Sequence, residues 1–499
     1  MKPMIKLIPL FAILTGMANP PDSLAGDTLP PSYFEGPGVI SVEDNWCRDK
    51  APGMPKDYYF KKKGSWGQRY DDQWGIKRIG FTSDRKSAWR IEDGARHPVI
   101  VAVIDTGLDW NHKDFDWNNI WHNPGEVADN GIDDDHNGFI DDVIGWNFVR
   151  NNNKPWDNDG HGTFVTGIIA ATHNKIGISG INPGAKIMVV KALNAFGHTR
   201  ASSIAEAIFY AVDNGAKVIN ISAGGKHMTQ TEQDAVDYAW KKGALVVMAA
   251  GNEAKDTADY SSGLKHLISV AATDTVDKRA GFSNWGQGVD IAAPGIDILS
   301  LRARRTDLMA GIPGINYTIG AAYVGKDKRY FRAGGTSFAA PMVAGTASLI
   351  WAHYPKLSNR QVKNMLLNSA RDIENPGWDQ LTGYGLLDAR AALKADPDYY
   401  TIARIGKIKP IRQNGKVVIA VSGSSSSSDY RDAWLELGFG EKPRKWKKVS
   451  GSIANGAENT TLAQISAKQI TRRGKWTVRL IVKTRTHGKI ESRGSMDIN

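Results

Sequence analysis

The sequence predicts an α/β domain built on a doubly wound, mostly parallel sheet with helices on both faces, followed by an all-β sandwich. Continuous apolar runs recur at 98–104, 187–192, 217–222, 244–250 and 267–272. Runs of this kind suit strands buried on both faces. Helix-period segments lie between them, and strand–helix alternation implies a covered parallel sheet. After residue 397 the texture changes to short strand-like runs at 417–421, 434–437 and 476–482, separated by turn residues. That is the pattern of a sandwich of about 100 residues.

The chain begins MKPMIKLIPLFAILTGMANPPDSLAG. Lys2 and Lys6 precede an apolar run from Leu7 to Ala18, and small residues follow at Gly16-Met17-Ala18 and Ser23-Leu24-Ala25. Residues 1–25 therefore read as a secretory signal, too short to span a bilayer. No Cys follows that run closely, which argues against a lipid anchor. No other run has membrane-spanning length, so no transmembrane helix is expected. Residues 26–69 are rich in Pro, Gly, Lys and aromatics and form an N-terminal extension or a short pro-segment. Residues 70–397 carry the α/β pattern. In 202–214, Ile204, Ile208, Ala211 and Val212 share one face and Gly215 follows as a stop. The segment 231–242 ends at Gly243 in the same way, and Ser358-Asn359-Arg360-Gln361 has capping-box spacing. Residues 398–499 form the sandwich, with the serine run 424–428 read as a loop.

The 499 residues are 41% hydrophobic and 23% charged, values of an ordinary soluble globular chain with at least one large core. Net charge is +11. Residues 401–499 hold 20 Lys+Arg against 7 Asp+Glu, an excess of 13, so the rest of the chain sums to −2. The basic sandwich, with Trp434, Trp446 and Trp476, is a candidate for contact with an anionic surface or an acidic polysaccharide. The competing reading is a packing module with core tryptophans. Export argues against nucleic acid as a partner. Cys47 is the single cysteine, so no internal disulfide is available and a bound metal is the expected substitute.

Four polar residues stand in glycine-bearing contexts at expected strand or helix ends. Asp105 closes the first apolar run in Val-Ile-Asp105-Thr-Gly. His161 lies in Asp157-Asn158-Asp159-Gly160-His161-Gly162-Thr163. Asn252 follows Ala249-Ala250-Gly251, and Ser337 lies in Gly334-Gly335-Thr336-Ser337 ahead of an apolar helix. Singly, each has a structural alternative: a turn or cap Asp, a core His, a turn Asn, an N-cap Ser. Together, a carboxylate, an imidazole and a hydroxyl in the order Asp…His…Ser point to nucleophilic catalysis.

The four segments resemble the signature segments of the subtilisin-like serine proteases, the subtilases, over roughly residues 70–395. The resemblance implies a subtilisin-like fold and a serine endopeptidase acting through an acyl-enzyme. Ser337 would be the nucleophile, His161 the general base and Asp105 its orienting partner. The Asn252 side chain and the Ser337 N–H would form the oxyanion hole. His161 and Asn252 also set the chain apart from the sedolisins, which use Glu and Asp there. An inactive subtilase-fold binding or surface protein is the alternative. Substrate would add as a strand along Ser222-Ala223-Gly224, with Ala249, Ala250 and Gly251 on the other wall of the pocket. The family has histidines where this chain has Phe164 and Met342, which implies two side chains repacked opposite one another under the site.

One or two calcium sites are expected. The family's tight site maps onto Gln73, Asp114, Asn174 and the carbonyls of Thr172, Ile176 and Ile178. Independently, Asp133, Asp135, Asn137, the Phe139 carbonyl and Asp142 place oxygens as in an EF-hand-like loop. The twelfth position is Ile144, so Asp141 or Asp142 would replace the missing acid. A secreted monomer, extracellular, periplasmic or on the cell surface, is the expected whole.

Overall fold

The computed structural model describes residues 54–304, 322–413 and 415–498. The expected signal at 1–25, residues 26–53 and Cys47 lie outside them.

A seven-stranded sheet forms the body. Its strands are β1 (Ile100–Asp105), β2 (Gly145–Asn147), β3 (Lys186–Lys191), β4 (Val218–Ile221), β5 (Leu245–Ala249), β6 (Leu267–Thr273) and β7 (Ile291–Pro294). Their order is β2-β3-β1-β4-β5-β6-β7, and every pair is parallel. The five apolar runs became β1 and β3–β6, buried almost throughout. The three-residue β2 and the four-residue β7 lie at the two edges.

Helices cover both faces: α1 (Tyr58–Lys61), α2 (Trp74–Arg78), α3 (His161–Ala170), α4 (Ala201–Asp213), α5 (Gln230–Lys241), α6 (Thr336–His353), α7 (Asn359–Asn368) and α8 (Ala389–Lys394). Helices α3 and α6 are buried nearly all round, beneath the larger apolar core. Helices α4 and α5 close the other face. The stops Gly215 and Gly243 adopt φ +85° and +86°, where an added Cβ is strained. The Ser358 capping box is formed, and so is a second one, Thr229 with Glu232, legible in Thr229-Gln230-Thr231-Glu232. A small sheet pairs β8 (Ile298–Leu301) and β9 (Tyr323–Val324) with β10 (Tyr330–Ala333).

The C-terminal part is two antiparallel sheets. One contains β11 (Thr401–Gln413), β12 (Lys416–Ser427) and β15 (Ala457–Ser466). The other contains β13 (Tyr430–Phe439), β14 (Lys447–Lys448), β16 (Gly474–Thr484) and β17 (Lys489–Ile498). Ile405, Val421, Leu435, Val478 and Leu480 fill the space between them. The serine run is not the expected loop: 424–427 complete β12, paired with β11 on one side and β15 on the other. Small side chains fit that closed face; Ser427 Oγ donates to Tyr400 O at 3.0 Å, while the buried Ser425 Oγ has no hydrogen-bond partner among the described residues. Trp476 belongs to this core at 7% exposure, its Nε1 donating to Arg472 O at 3.1 Å. Trp434 and Trp446 instead stay half-buried among cations. Lys448 and Lys489 lie over the Trp434 ring, Arg479 and Arg493 over the Trp446 ring. The sandwich meets the body through Ser492 Oγ to Trp378 O at 2.9 Å, Gln287 Nε2 to Gly406 O at 2.9 Å, and Arg404 stacked over Trp378.

Candidate active site

The sheet brings the four polar residues to one edge, beyond the carboxyl ends of its strands. Asp105 is the last residue of β1, and Asn252 follows β5 by three residues. His161 opens α3 and Ser337 is the second residue of α6. Ser337 is no cap: Gly335 holds the N-cap position of α6, without a side-chain cap bond. His161 Nδ1 and Asp105 Oδ1 are 2.8 Å apart, both groups buried. Helix α3 can come that close to β1 because residue 162 is glycine. A Cβ there would meet Gly107 O at 2.2 Å and Asp105 Cβ at 3.2 Å.

Burial alone would lower the His161 pKa. The Asp105 charge and its hydrogen bond, with Asp159 and Asp157 behind them, more than offset this and hold it above the usual histidine value. Half-buried Asp159, whose Oδ1 accepts from His161 N at 3.0 Å, is pushed up to about 7 by burial and by the Asp157 charge. Lys191 is buried beside these acids with Nζ donating to Thr106 O, and burial depresses its pKa.

Ser337 Oγ donates to Ser222 O at 2.9 Å, and Ser222 Oγ returns a bond to Ser337 O at 2.8 Å. Asn252 Oδ1 accepts from Thr336 N at 2.8 Å and Thr336 Oγ1 at 2.9 Å. The oxygen end of the amide is thereby fixed, which turns the Nδ2 donor the other way. Thr336, adjacent to Ser337, does this work and was not singled out in the sequence.

Of the cleft residues, Gly224 is exposed, Ala223 and Gly251 half-buried, and Ala249 and Ala250 buried. The Ala250 methyl packs with Ala271, Val289 and Ala292, and its carbonyl accepts from Ser262 Oγ and Asn284 Nδ2, both at 3.0 Å. Phe164 packs its ring on Phe338 at 4.4 Å. Met342, one helical turn beyond Phe338, lines a small cavity with Trp74, Gly75, Ile168 and Ile298. The ring partner of Phe164 is thus Phe338, while Met342 lies by Gly75 of α2 and Ile168 of α3 in the same apolar core.

The first expected calcium set is gathered around residues 172–178. Asp114 is fully buried; Oδ2 accepts from Ile178 N at 2.8 Å, while buried Oδ1 has no hydrogen-bond partner among the described residues. Burial pushes its pKa up to about 8. Gln73 spends its amide on the Ser179 backbone in both directions, at 2.8 and 3.0 Å, and Asn174 Oδ1 accepts from Ile176 N at 3.0 Å. Thr172 is half-buried and Ile176 exposed. A residue absent from the expected set, Asp57, closes the loop from outside. Its Oδ1 accepts from Asn174 N and Lys175 N at 2.9 and 2.7 Å, and Oδ2 from Ser179 Oγ at 2.7 Å.

In the acidic loop, oxygens of Glu126, Asp133 and Asp135 lie within 4.8 Å of one another. Glu126 lies outside the EF-hand-like window that picked out the others. Asp142 turns inward instead, accepting from Tyr210 Oη at 2.6 Å and Asn123 Nδ2 at 2.7 Å, and burial pushes its pKa up to about 6. Asn137 Nδ2 bridges Asp135 and Asp142, and the Phe139 ring packs on Tyr210 at 4.8 Å.

The chain is similar to several known proteins. The model of the subtilase family matches residues 96–385. A thermophilic serine proteinase of Bacillus sp. (strain AK1) is 37% identical over 342 residues, 68% of this chain and 70% of that protein. Thermitase of Thermoactinomyces vulgaris is 34% identical over 324 residues, 65% of this chain and 94% of its own length. A solved protease from Pseudoalteromonas arctica PAMC 21717 has a TM-score of 0.52 at 25% identity, covering 68% of this chain and 99% of that one. With more than half of its length matched by the family's model, the chain belongs to the subtilase family and is a subtilisin-like serine endopeptidase.

Proposed function

We propose that Asp105, His161, Ser337 and Asn252 carry the peptide-bond hydrolysis. Ser337 Oγ attacks the scissile carbonyl carbon while His161 Nε2 takes its proton, and Asp105 stabilises the imidazolium. The oxyanion is held by Asn252 Nδ2 and the Ser337 N–H at the start of α6. His161 returns the proton to the leaving amine. Water then releases the acyl group from Ser337 by the same steps in reverse order. The observation carrying this reading is the buried 2.8 Å His161–Asp105 pair. A polypeptide strand along Ser222-Ala223-Gly224 supplies the substrate, its P1 group lying near Gly251. Casein hydrolysis by wild type and Ser337→Ala, with a serine-directed covalent reagent, tests the assignment. Wild type that neither cleaves nor takes up the reagent at Ser337 would sink it and favour a binding protein.

Calcium fits the 172–178 loop. The orphaned, buried Asp114 Oδ1 calls for a positive partner. The oxygens of Gln73 and Asn174 each keep a second lone pair, and the carbonyls of Thr172, Ile176 and Ile178 complete the donor set. The ion would stabilise the folded state and takes no part in the chemistry. A second ion would lie between Glu126, Asp133 and Asp135. Residues 54–69 stay with the working enzyme, since Asp57, Tyr59 and Phe60 are buried against it. The chain is exported as a monomer. The basic sandwich makes a salt-sensitive contact with anionic surfaces or polysaccharides, tested by retention of the whole protein on an anionic matrix.

A further inference from the structure

Asp157 stands four residues before His161 and is fully buried. Its Oδ1 accepts from Thr106 Oγ1 at 2.9 Å, Asp159 N at 3.0 Å and Gly160 N at 2.7 Å. Its Oδ2 accepts from Thr163 N at 2.9 Å and Thr163 Oγ1 at 2.6 Å. The two threonines pass the tie outward. Thr106 Oγ1 accepts from Gly162 N at 2.8 Å, and Thr163 Oγ1 accepts from Asp109 N at 2.9 Å.

These bonds join two elements. Thr106 directly follows Asp105 at the end of β1, while Gly162 and Thr163 directly follow His161 in the first turn of α3. The N-cap of α3 is Gly160, φ 105°, which has no side chain to satisfy the first-turn amides. Of those amides, His161 N goes to Asp159 Oδ1, Gly162 N to Thr106 Oγ1 and Thr163 N to Asp157 Oδ2, and Asp157 is itself bonded to Thr106, the residue after the strand that carries Asp105. The hydrogen bond between Asp105 and His161 therefore spans elements that one carboxylate already holds in register.

We propose that Asp157 is a positioning residue for catalysis, setting the approach of His161 to Asp105 through Thr106 and Thr163. The inference rests on the triad reading above. It goes beyond it in assigning the geometry of the pair to a residue that touches neither substrate nor the reacting atoms.

The test is Asp157→Asn in the full chain. Asn has the same shape but replaces one acceptor oxygen by a donor facing N–H and O–H groups. The expected result is a fall in kcat of about 10- to 100-fold, the scale of a small misplacement of a catalytic group, with KM nearly unchanged. The acid limb of kcat/KM should move to lower pH, because Asp157 is one of the acids raising His161, while Asp105, Asp159 and Lys191 remain. Wild-type kcat and an unmoved acid limb overturn the proposal. Should Asp157→Asn not fold, Thr163→Val and Thr163→Ser decide. The first loses the hydroxyl ties and the second keeps them, so equal kcat in the two variants also overturns it. A third readout separates this from failure of the triad reading. The low-field proton resonance of the His161–Asp105 bond, recorded in Ser337→Ala, should shift or broaden when Asp157→Asn is added. That result supports the positioning role even if wild type proved inactive, and an unchanged resonance counts against it.

Discussion

At the residue scale, Asn252 differs from the triad in what its loss should do. Its amide is oriented by Thr336 and, in the mechanism proposed above, contributes one donor where negative charge develops. Asn252→Ala should lower kcat by about 10²–10³ with little change in KM; peptide kinetics check this, and a matching rise in KM would mean ground-state binding instead. The titration of His161 sets a second expectation. The proposed mechanism needs the neutral imidazole, and the surrounding acids raise its pKa. The sign is therefore an acid limb above the ordinary histidine value, with activity lost as pH falls through it. A kcat/KM profile reads this directly. The proposed triad could be picked out in the sequence because each member lies in a short motif with its own glycines. Asp157 and Thr336 stood in the same motifs, yet their roles depend on which atoms they face, and only packing shows that.

At the element scale, the segment around α1 is the part that sequence texture described least well. Residues 54–69 lack periodicity, yet Tyr59 and Phe60 are buried and Tyr59 N donates to Gly177 O at 2.7 Å. Asp57 closes the loop between α3 and β3 with bonds to two backbone amides and a hydroxyl. Asp57→Ala leaves the buried Ser179 hydroxyl and two partly exposed backbone amides without this acceptor, at a cost of roughly 1–3 kcal/mol. Faster thermal inactivation with unchanged kcat is the expected outcome; an unchanged inactivation rate would remove Asp57 from the account. N-terminal sequencing of the active protein should find a start ahead of Asp57. Strands β1 and β3–β6 were legible because burial on both faces makes a strand uniformly apolar. The serines of β12 were not, because their burial follows from pairing with β11 and β15 rather than from hydrophobicity.

At the scale of the molecule, stability rests on one large α/β core, a smaller sandwich core and, in our reading, bound calcium. Chelation should lower the unfolding midpoint and added calcium restore it. An ion at 100 times its Kd contributes about 2.7 kcal/mol. Asp114→Asn and Asp133→Asn separate the two sites, each removing part of the response. A midpoint indifferent to chelator would count against both. The charge of the molecule is likewise divided, with the basic excess on the sandwich and partly neutralised there, as Arg479 pairs with Glu436 and Glu491.

By itself the sequence determined the parallel α/β body, the sandwich behind it, the order Asp, His, Ser and the chemistry those groups can perform. Such features are local: strand burial, helix stops and glycine-bearing motifs each show within about ten residues. The tertiary structure alone decided that Asp157 ties the end of β1 to the first turn of α3, that Thr336 orients Asn252, that Phe164 meets Phe338, and that Asp57 closes the 172–179 loop. Each of these joins chain segments that fold into contact from different elements. Their geometry depends on sheet order and helix register, which no local pattern encodes.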